Sequence, residues 1–292
     1  MSIPDRLELL ETFIRVVDTG ALSRAARAAG VSQPSVSRRI NSLETMIGVK
    51  LIHRTTHHLE LTDEGRRLLP VARALLSKWD ACLDDLRDSE PQGLLRIAAP
   101  VGLGQTRLMD EAALYLKRNP RVTIDWLLTD HTIDIVNGDA DLWIRIGEIA
   151  DDRLVIKRIA KVERLLVGTP ELAKSAPDWS DLPVISLSPF YETELRLFDR
   201  RGKEKTFRPR IALTSDNIAA VKRAVVQGAG VALLPDWLVS TEIKSGGLVR
   251  IAPHLKGRAL DVVLAYAPER GRPLRLRSFV EHLAERFRDS TV

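Results

Sequence analysis

The sequence has little cysteine and few aromatic residues, and it lacks long apolar runs. Its single cysteine, Cys82, excludes an internal disulfide and is typical of proteins that work in a reducing compartment. No segment approaches the roughly 18 consecutive apolar residues that a membrane helix needs. The N-terminal segment mixes acidic with apolar residues, which is not the pattern of a signal peptide. We therefore expect a cytoplasmic protein that does not contact a membrane.

The sequence also lacks the motifs that enzymes and metalloproteins require. It has no Ser-His-Asp order, no phosphate-binding loop and no metal-ligand spacing, so we predict no catalytic residue, no metal site and no cofactor. His53, His57 and His58 are close together, but no second cluster would complete four zinc ligands. Enzymatic activity is therefore not expected.

Acidic residues are scarce in one segment of an otherwise balanced chain. The chain has 44 Lys plus Arg against 39 Asp plus Glu, a net charge of +5. Residues 21–59 alone hold six basic residues and one acid, Glu44, so this segment carries as much net charge as the whole protein. A local basic patch is typical of a surface that binds a polyanion such as DNA. A membrane surface is the alternative partner, but no lipidation signal or apolar moment accompanies the patch.

Two short helices and a β-hairpin are predicted within and just after this basic segment. Ser23 is positioned to cap the first helix, and Gly30 to end it in a left-handed conformation. Ser32 is the predicted N-cap of the next helix, and Pro34 fits the first turn of that helix. This order is typical of a winged helix-turn-helix, which places its second helix in the major groove of DNA.

The second of these helices has one apolar stripe and an opposite face without acids. Val36, Ile40 and Leu43 fall on the stripe, which we predict to be buried. The other side offers side chains that hydrogen-bond phosphates and base edges. It consists of Pro34, Arg38, Asn41 and Thr45, flanked by Ser35, Ser37, Arg39 and Ser42. The alternative interpretation is an ordinary solvated helix in a small helical bundle.

A long helix is predicted to begin after a cap at Thr62 and to extend to about Ser89. Apolar residues recur along it at alternating spacings of four and three, which is the heptad pattern of paired helices. These residues are Leu68, Ala72, Leu75, Trp79, Cys82 and Leu86. We predict a homodimer through this helix, in which Cys82 packs as a small apolar residue. The alternative is an interdomain helix that packs only on its own chain.

From Leu94 onward, strands alternate with helices, which predicts a mostly parallel sheet. Strands are predicted at 94–100, 122–128, 141–147, 154–160, 162–168, 183–187, 210–214, 230–235 and 260–266. Helices are predicted at about 103–117, within 131–139, at 217–227 and at 273–288. This order predicts two α/β lobes joined by a double crossover, with a cleft between them.

The cleft is where open α/β sheets bind ligands. Two predicted helix N-termini face it and offer backbone N–H groups to a carboxylate or another anion. Together with residues that end neighbouring strands, the candidate ligand-binding residues are Pro100, Val101, Gly102, Thr129, Arg145, Ser186, Ser215, Asp216 and Asn217. The alternative for Ser215 and Asp216 is a purely structural helix cap. The alternative for Arg145 is an ion pair with Asp139 or Asp141.

Residues 31–65, VSQPSVSRRINSLETMIGVKLIHRTTHHLELTDEG, are similar to the N-terminal domain of the LysR-type transcriptional regulators. The likeness in length and motif order extends from about Leu7 to Phe287, and APVGLG and DLWIRIGE resemble one subgroup of the family. The resemblance implies a multi-domain α/β protein. Its parts are a winged helix-turn-helix, a long linker helix and a two-lobed effector domain like a periplasmic binding protein.

The resemblance also implies where the domains and DNA contacts lie. The implied bounds are 1–61 for the DNA-binding domain, 62–90 for the linker and 91–292 for the effector domain. Lobe I would hold about 91–163 and 266–292, and lobe II about 164–265. The implied DNA-binding residues are Ser23, Ser32, Gln33, Pro34, Ser35, Ser37, Arg38, Arg39, Asn41, Arg54 and Thr55.

The function implied by the resemblance is sequence-specific regulation of transcription, modulated by a small organic effector, with an anion as one candidate. The implied nucleic-acid partner is double-stranded promoter DNA with an interrupted inverted repeat. The implied assembly is a homodimer through the linker helix, with pairs of dimers forming a tetramer. RNA polymerase is a further candidate partner. The implied location is the bacterial cytoplasm, in association with the nucleoid. An enzyme on the binding-protein fold and a transporter's solute-binding protein are the rival interpretations. The missing catalytic motifs and the basic N-terminal segment argue against both.

Overall fold

The computed structural model of the protein describes residues 5–54, 59–86, 90–136, 138–175, 179–188, 194–268, 272–288 and 290–291. Its N-terminal domain is three helices with a β-hairpin wing. The elements are α1 (Arg6–Thr19), α2 (Leu22–Ala29), α3 (Gln33–Ile47), β1 (Ile52–Arg54) and β2 (Leu59–Leu61). The strands pair antiparallel, with Ile52 opposite Leu61. The predicted stripe of α3 is buried, since Val36, Ile40 and Leu43 are at most 1% exposed.

The helix ends in this domain follow the predicted capping chemistry except at Ser23. Gly30 ends α2 with a φ of 64°, and the Ser32 hydroxyl accepts the N–H of Ser35 at 3.3 Å. Pro34 lies in the first turn of α3. The capping prediction for Ser23 is wrong, because α2 begins at Leu22 after an extended Ala21. The Ser23 hydroxyl is therefore inside the first turn, where it cannot act as the N-cap.

The long helix α4 (Asp63–Leu86) begins as predicted, and residues 87–89 lie outside the described ranges. The Thr62 hydroxyl caps it by accepting the N–H of Gly65 at 2.9 Å. The predicted heptad seam divides into two surfaces. Leu68 packs against the core of the N-terminal domain and Ala72 is buried within the chain. The exposed surface, which we call the α4 stripe, consists of the predicted seam residues Leu75, Trp79, Cys82 and Leu86 together with Val71, which the heptad pattern did not include.

The remainder of the chain alternates strands and helices. In chain order the elements are β3 (Gly93–Ala99), α5 (Val101–Gly104), α6 (Arg107–Arg118), β4 (Val122–Leu128), β5 (Leu142–Ile146), β6 (Val155–Val162), β7 (Arg164–Gly168), α7 (Pro170–Ser175), a 3-10 turn (Trp179–Asp181), β8 (Pro183–Leu187), β9 (Leu195–Asp199), β10 (Glu204–Phe207), β11 (Arg210–Ser215), α8 (Ile218–Val226), β12 (Ala232–Pro235), α9 (Asp236–Ser245), β13 (Val249–Arg250), β14 (Leu255–Gly257), β15 (Leu260–Tyr266), α10 (Leu274–Arg286) and β16 (Ser290–Thr291).

Lobe I is built on a six-stranded sheet in the order β16-β6-β15-β5-β3-β4. The prediction of a mostly parallel sheet is confirmed for this lobe, since five of the six described strands run in the same direction. The exception is β15, which lies between β5 and β6 and runs antiparallel to both. The chain therefore returns to lobe I before Leu260, not near residue 265. Helix α10 covers the sheet through the predicted apolar residues Leu276, Phe279, Val280, Leu283 and Phe287.

Two predicted helices of lobe I differ in the structure. The helix predicted at 103–117 is interrupted at Gln105 and Thr106, between α5 and α6. The indole N–H of Trp126 donates to the carbonyl oxygen of Gly104 at 3.2 Å, which engages that carbonyl where α5 ends. The short helix predicted within 131–139 is absent from the described residues of that range. Asp134 N–H instead donates to the Asp139 carboxylate at 2.9 Å, which closes a loop.

Lobe II contains three small sheets, and β7 is the central strand of one of them. Strands β12 and β13 pair antiparallel with β7, β8 pairs parallel with β11, and β9 lies between β10 and β14. The sequence pattern did not predict β9, β10, β13, β14, α7 or α9. Helix α8 follows β11 as predicted, and its buried residues Ile218, Val221 and Val225 pack on the sheet.

Candidate nucleic-acid interface and inter-lobe cavity

The exposed face of α3 presents the residues that the sequence predicts for DNA contact. Exposed on this side are Ser32, Gln33, Pro34, Arg38, Asn41 and Thr45, with Ser35 and Ser37 half-buried. Arg38 Nη2 donates to Ser35 Oγ at 3.3 Å, and the hydroxyls of Ser32 and Ser35 are 2.9 Å apart. These contacts link a cap, a hydroxyl and a guanidinium at the N-terminal end of the helix, which is the part of a recognition helix that reaches base edges.

The remaining predicted DNA-binding residues are placed differently. Arg39 forms an ion pair with Glu8 of α1, so its guanidinium is engaged within the domain. Ser23 is exposed on α2. Arg54 belongs to β1, but its side chain and the whole of Thr55 lie outside the described structure, as do His57 and His58. The role of the wing therefore stays a prediction.

The one acid of the basic segment is turned away from the exposed face. Glu44 is only 6% exposed and accepts Lys50 Nζ at 2.6 Å, Leu51 N–H at 3.0 Å and Ile52 N–H at 3.4 Å. Burial would raise the pKa of Glu44, but these hydrogen bonds outweigh it and lower the pKa. The carboxylate thus joins α3 to the wing, and the outer face of α3 carries no acid.

A cavity of about 490 Å³ lies between the two lobes. Five of the predicted ligand-binding residues line it, namely Pro100, Gly102, Thr129, Arg145 and Ser186. Four others, Val101, Ser215, Asp216 and Asn217, are not in its wall. Apolar walls come from both lobes, including Leu103, Val162, Ile185, Phe198 and Leu233. The predicted cleft is therefore present as a cavity. Its wall contains five of the nine predicted ligand-binding residues and further residues that were not predicted.

The predicted anion sites at two helix N-termini are already occupied by the protein's own side chains. The N–H of Val101 at α5 donates to Asp130 Oδ1 at 3.2 Å. At α8, Asn217 Oδ1 accepts the N–H groups of Ala219 at 2.9 Å and Ala220 at 3.1 Å. The α8 terminus is thus a structural helix cap, but the N-cap is Asn217 and not Ser215 or Asp216.

Arg145 instead contributes a positive charge to the wall of the cavity. Its guanidinium carbon lies 5.0 Å from the ring centre of Trp143, which is a cation–π arrangement. The two acids considered as its partners are engaged elsewhere, since Asp141 accepts the N–H of Arg96 at 2.8 Å and Asp139 that of Asp134. Burial raises the pKa of the neighbouring Asp130, which also lines the cavity.

Trp237 is a cavity residue that sequence reasoning missed. It lines the wall immediately after β12, and within the described structure its indole nitrogen is buried without a hydrogen-bond partner. Its closeness to Gly102, where an added Cβ would be 3.5 Å from the Trp237 ring, shows how tightly the lobes meet there. The signal was available, because Trp237 follows the carboxyl end of a predicted strand.

Neither a metal site nor a membrane-spanning helix is found among the residues that the structure describes. No group of three or more His, Cys, Asp or Glu side chains there is arranged to hold a metal ion. Among the described helices, none is both long enough and apolar enough to cross a membrane.

Two relatives of known function share most of the chain. The HTH-type transcriptional regulator PtxR of Pseudomonas aeruginosa is 32% identical over 292 residues, covering 96% of this chain and 92% of that protein. The HTH-type transcriptional regulator DmlR of Escherichia coli is 31% identical over 290 residues, covering 95% and 93%. Both are transcriptional regulators of the helix-turn-helix type.

Solved structures share the whole architecture. CrgA, a LysR-type transcriptional regulator from Neisseria meningitidis, is 25% identical with a TM-score of 0.60, covering 97% of this chain and 99% of that one. Full-length AphB from Vibrio cholerae, at 21% identity and a TM-score of 0.60, covers 96% and 99% and shows the same fold. Residues 7–66 match the family described as bacterial regulatory helix-turn-helix protein, lysR family, and residues 88–288 match the LysR substrate binding domain. With both of its domains matched in this order, the chain belongs to the LysR family of transcriptional regulators, which bind DNA through the first domain and an effector through the second.

Proposed function

We propose that the protein binds, as a homodimer, a promoter site with an interrupted inverted repeat, and that α3 of each subunit lies in the major groove. The observation that carries this proposal is the exposed, acid-free face of α3, with Gln33, Arg38 and Asn41 outward and Glu44 buried. Arginine pairs well with guanine, and asparagine or glutamine with adenine. Ser32, Pro34, Ser35 and Ser37 would hold the helix in place on the phosphate backbone.

The α4 stripe supports the dimer. Val71, Leu75, Trp79 and Leu86 are between 48% and 77% exposed, and they follow one side of a 24-residue helix. A helix of this length exposes such a stripe to water at a cost that pairing with a second copy removes. Two-fold pairing would also present two recognition helices to an inverted repeat. Pairing of dimers into a tetramer, a cytoplasmic location at the nucleoid and contact with RNA polymerase belong to this proposal as well.

The cavity supports a small organic effector. Its volume of about 490 Å³ suits a small molecule, and its wall combines apolar residues of both lobes with polar and charged residues that can orient a ligand. Arg145 and Ser186 would bind an oxygen-bearing group, and an anion would suit Arg145. Thr129 and Asp130 add further polar groups to this wall, and Arg164, Arg196 and Arg258 also line the cavity.

The proposal is tested by selection from genomic DNA. Purified full-length protein is incubated with sheared genomic DNA and excess nonspecific competitor, and the retained fragments are sequenced. Enrichment of a few intergenic sites with an interrupted inverted repeat is expected. Uniform retention that disappears with salt would overturn sequence-specific binding.

Arg38→Ala provides the matched variant on the recovered site. If Arg38 contacts a base, the variant should lose roughly 1–3 kcal/mol of binding free energy and tolerate more bases at one position. An equal loss on every sequence would assign Arg38 to a phosphate. Arg153→Ala serves as the control, because Arg153 pairs with Asp151 in the effector domain and should leave the affinity unchanged.

A further inference from the structure

One carboxylate at the end of α1 joins three parts of the molecule. Asp18 accepts Arg73 Nη2 of α4 at 2.6 Å through one oxygen and Arg96 Nη2 of β3 through the other. The three side chains are 27%, 17% and 16% exposed, respectively, so solvent screens these ion pairs only in part. The DNA-binding domain, the linker helix and lobe I therefore meet at this charge cluster, which we call the Asp18 cluster.

Two features of the Asp18 cluster are locally unfavourable. Asp18 lies in the last turn of α1, where the negative end of the helix dipole disfavours a carboxylate, and that turn contains no basic residue. Arg73 Nε is buried without a hydrogen-bond partner among the described residues. Local costs of this kind are expected where a contact serves function rather than the stability of its own element.

Both arginines of the cluster are also held by one loop of lobe I, which connects β4 to β5 and spans residues 129–141. Arg73 Nη1 donates to the carbonyl oxygen of Gly138, and an added Cβ at Gly138 would lie 3.3 Å from Arg73 Cδ. At the end of the loop, Asp141 Oδ2 accepts the N–H of Arg96 at 2.8 Å, and Asp141 N–H donates to Arg96 O at 2.9 Å. The loop thus contacts each arginine that holds Asp18.

The same loop begins and ends in the wall of the inter-lobe cavity. Thr129 and Asp130 at its start line the cavity, as do Trp143 and Arg145 just after its end. Ile135 and Ala140 within the loop are buried in the same apolar cluster as Trp143. The cavity wall and the groups that hold Arg73 and Arg96 therefore belong to one continuous segment of chain.

We propose that the loop of residues 129–141 couples occupancy of the cavity to the orientation of the DNA-binding domain, with Arg73 as the positioning residue between them. The regulatory consequence rests on the proposed function, because DNA binding is its output. The coupling itself is a property of the free protein. A substitution in the cavity wall tests whether a change there affects the end of α1, and that test needs neither DNA nor the effector.

The first measurement is hydrogen–deuterium exchange of the full-length protein. In Asp18→Asn and in Arg73→Gln, peptides covering 131–141 and 12–20 should exchange faster, by on the order of tenfold. Arg73→Gln removes the partner that the loop shares with the end of α1, and Asp18→Asn removes the carboxylate that holds Arg73 in position against the loop. Arg286→Gln is the matched control. Its guanidinium Nε is 2.9 Å from Glu111 within lobe I, and its loss should leave both peptides unchanged.

A double-mutant cycle tests the connection to the cavity. Asp130→Asn changes the cavity wall and should alter exchange in peptide 12–20 by about twofold or more, although Asp130 lies in the cavity wall and not in the Asp18 cluster. In the Arg73→Gln background the same substitution should no longer change the exchange rate of peptide 12–20. Equal effects in both backgrounds, or unchanged exchange at 131–141 in both Asp18→Asn and Arg73→Gln, would overturn the coupling.

DNA binding provides the last readout and separates the two proposals. On the selected operator, Arg73→Gln should bind a single half-site within about twofold of the wild type but lose its preference for one spacing between half-sites. A retained spacing preference would overturn the regulatory role of Arg73. Failure of the genomic selection, with the exchange coupling present, would overturn the proposed function and leave the coupling in place.

Discussion

Glu44 shows how one residue can both stabilise the DNA-binding domain and leave its outer face positive. Its carboxylate accepts the backbone N–H groups of Leu51 and Ile52, which begin the wing. Glu44→Ala should lower the free energy of unfolding by about 2–3 kcal/mol, because two buried N–H groups lose a charged acceptor. Urea unfolding followed by far-ultraviolet circular dichroism measures the change. Glu60→Ala, at an exposed acid of the wing, should change it by less than about 0.5 kcal/mol, and equal losses would contradict the assignment.

The contribution of Glu44 to stability should also depend on pH in a defined direction. Its pKa in the folded protein is below the ordinary value of 4.5, so its stabilising effect is complete above that value and is lost as the pH falls through the folded pKa. The difference in unfolding free energy between wild type and Glu44→Gln should therefore shrink when the pH is lowered from about 7 to about 4. A difference that stays constant over this range would contradict the lowered pKa.

Asn217 shows where residue types alone leave a role open. A polar residue before a predicted helix suits both a ligand site and an N-cap, and only the bonds to Ala219 and Ala220 distinguish the two. Asn217→Ala should cost about 1 kcal/mol of stability, because α8 loses its cap. A thermal melt measures this loss. A reporter gene behind the selected promoter should still respond to its inducing growth condition, and a lost response with an unchanged melting temperature would instead make Asn217 a ligand residue.

At the scale of elements, the α4 stripe carries the prediction for assembly. Leu75→Glu removes about 1 kcal/mol of apolar burial per chain and places a carboxylate in the interface, so the dimer dissociation constant should rise by at least about a hundredfold. Light scattering after size-exclusion chromatography measures the mass. Ile156→Glu places the same substitution at an exposed apolar position of lobe I and should leave the mass of the dimer unchanged. A monomeric control or a dimeric Leu75→Glu would argue for another interface.

The elements that the sequence predicts well are those whose signals are local. Caps at Ser32 and Thr62, the stripe of α3 and strand β4 follow from residues within a few positions of each other. The interruption after Gly104 could not be predicted in this way. It depends on Trp126, which belongs to a neighbouring strand and reaches the Gly104 carbonyl only in the folded sheet. The loop before β5 likewise depends on Asp139, whose carboxylate bonds a backbone N–H five residues earlier.

At the scale of the whole molecule, the sequence indicates two lobes but not their boundary. Strand β15 is apolar apart from Asp261 and suits either lobe by composition. Its place between β5 and β6 follows only from the return of the chain to lobe I. The cavity residues likewise include some that the sequence predicts and some that it does not. Arg145 and Thr129 end predicted strands and could be proposed in advance, whereas Trp237, which meets Gly102 of the other lobe, enters the wall only because the two lobes pack together.

The uneven distribution of charge predicts how the whole molecule should bind DNA as salt is varied. Residues 21–59 concentrate a net charge of +5 in 39 residues, whereas residues 91–292 spread the same net charge over 202 residues. The basic segment should therefore dominate the electrostatic part of binding. A dimer that contacts about 6–10 phosphates should lose roughly 10³–10⁵ in affinity between about 50 and 200 mM salt. Fluorescence anisotropy on the selected operator gives the slope of log affinity against log salt.

Arg27 and Arg153 distinguish the two domains in that measurement. Arg27 is exposed on α2, the helix that crosses the DNA backbone in a helix-turn-helix. Arg27→Gln should reduce the magnitude of the slope by about 2 for a dimer, because each subunit loses one phosphate contact. Arg153→Gln removes the same charge from the effector domain, where the guanidinium already pairs with Asp151, and should leave the slope unchanged. If both variants reduce the slope equally, DNA must also contact the effector domain, and the recognition surface would extend beyond the winged helix-turn-helix.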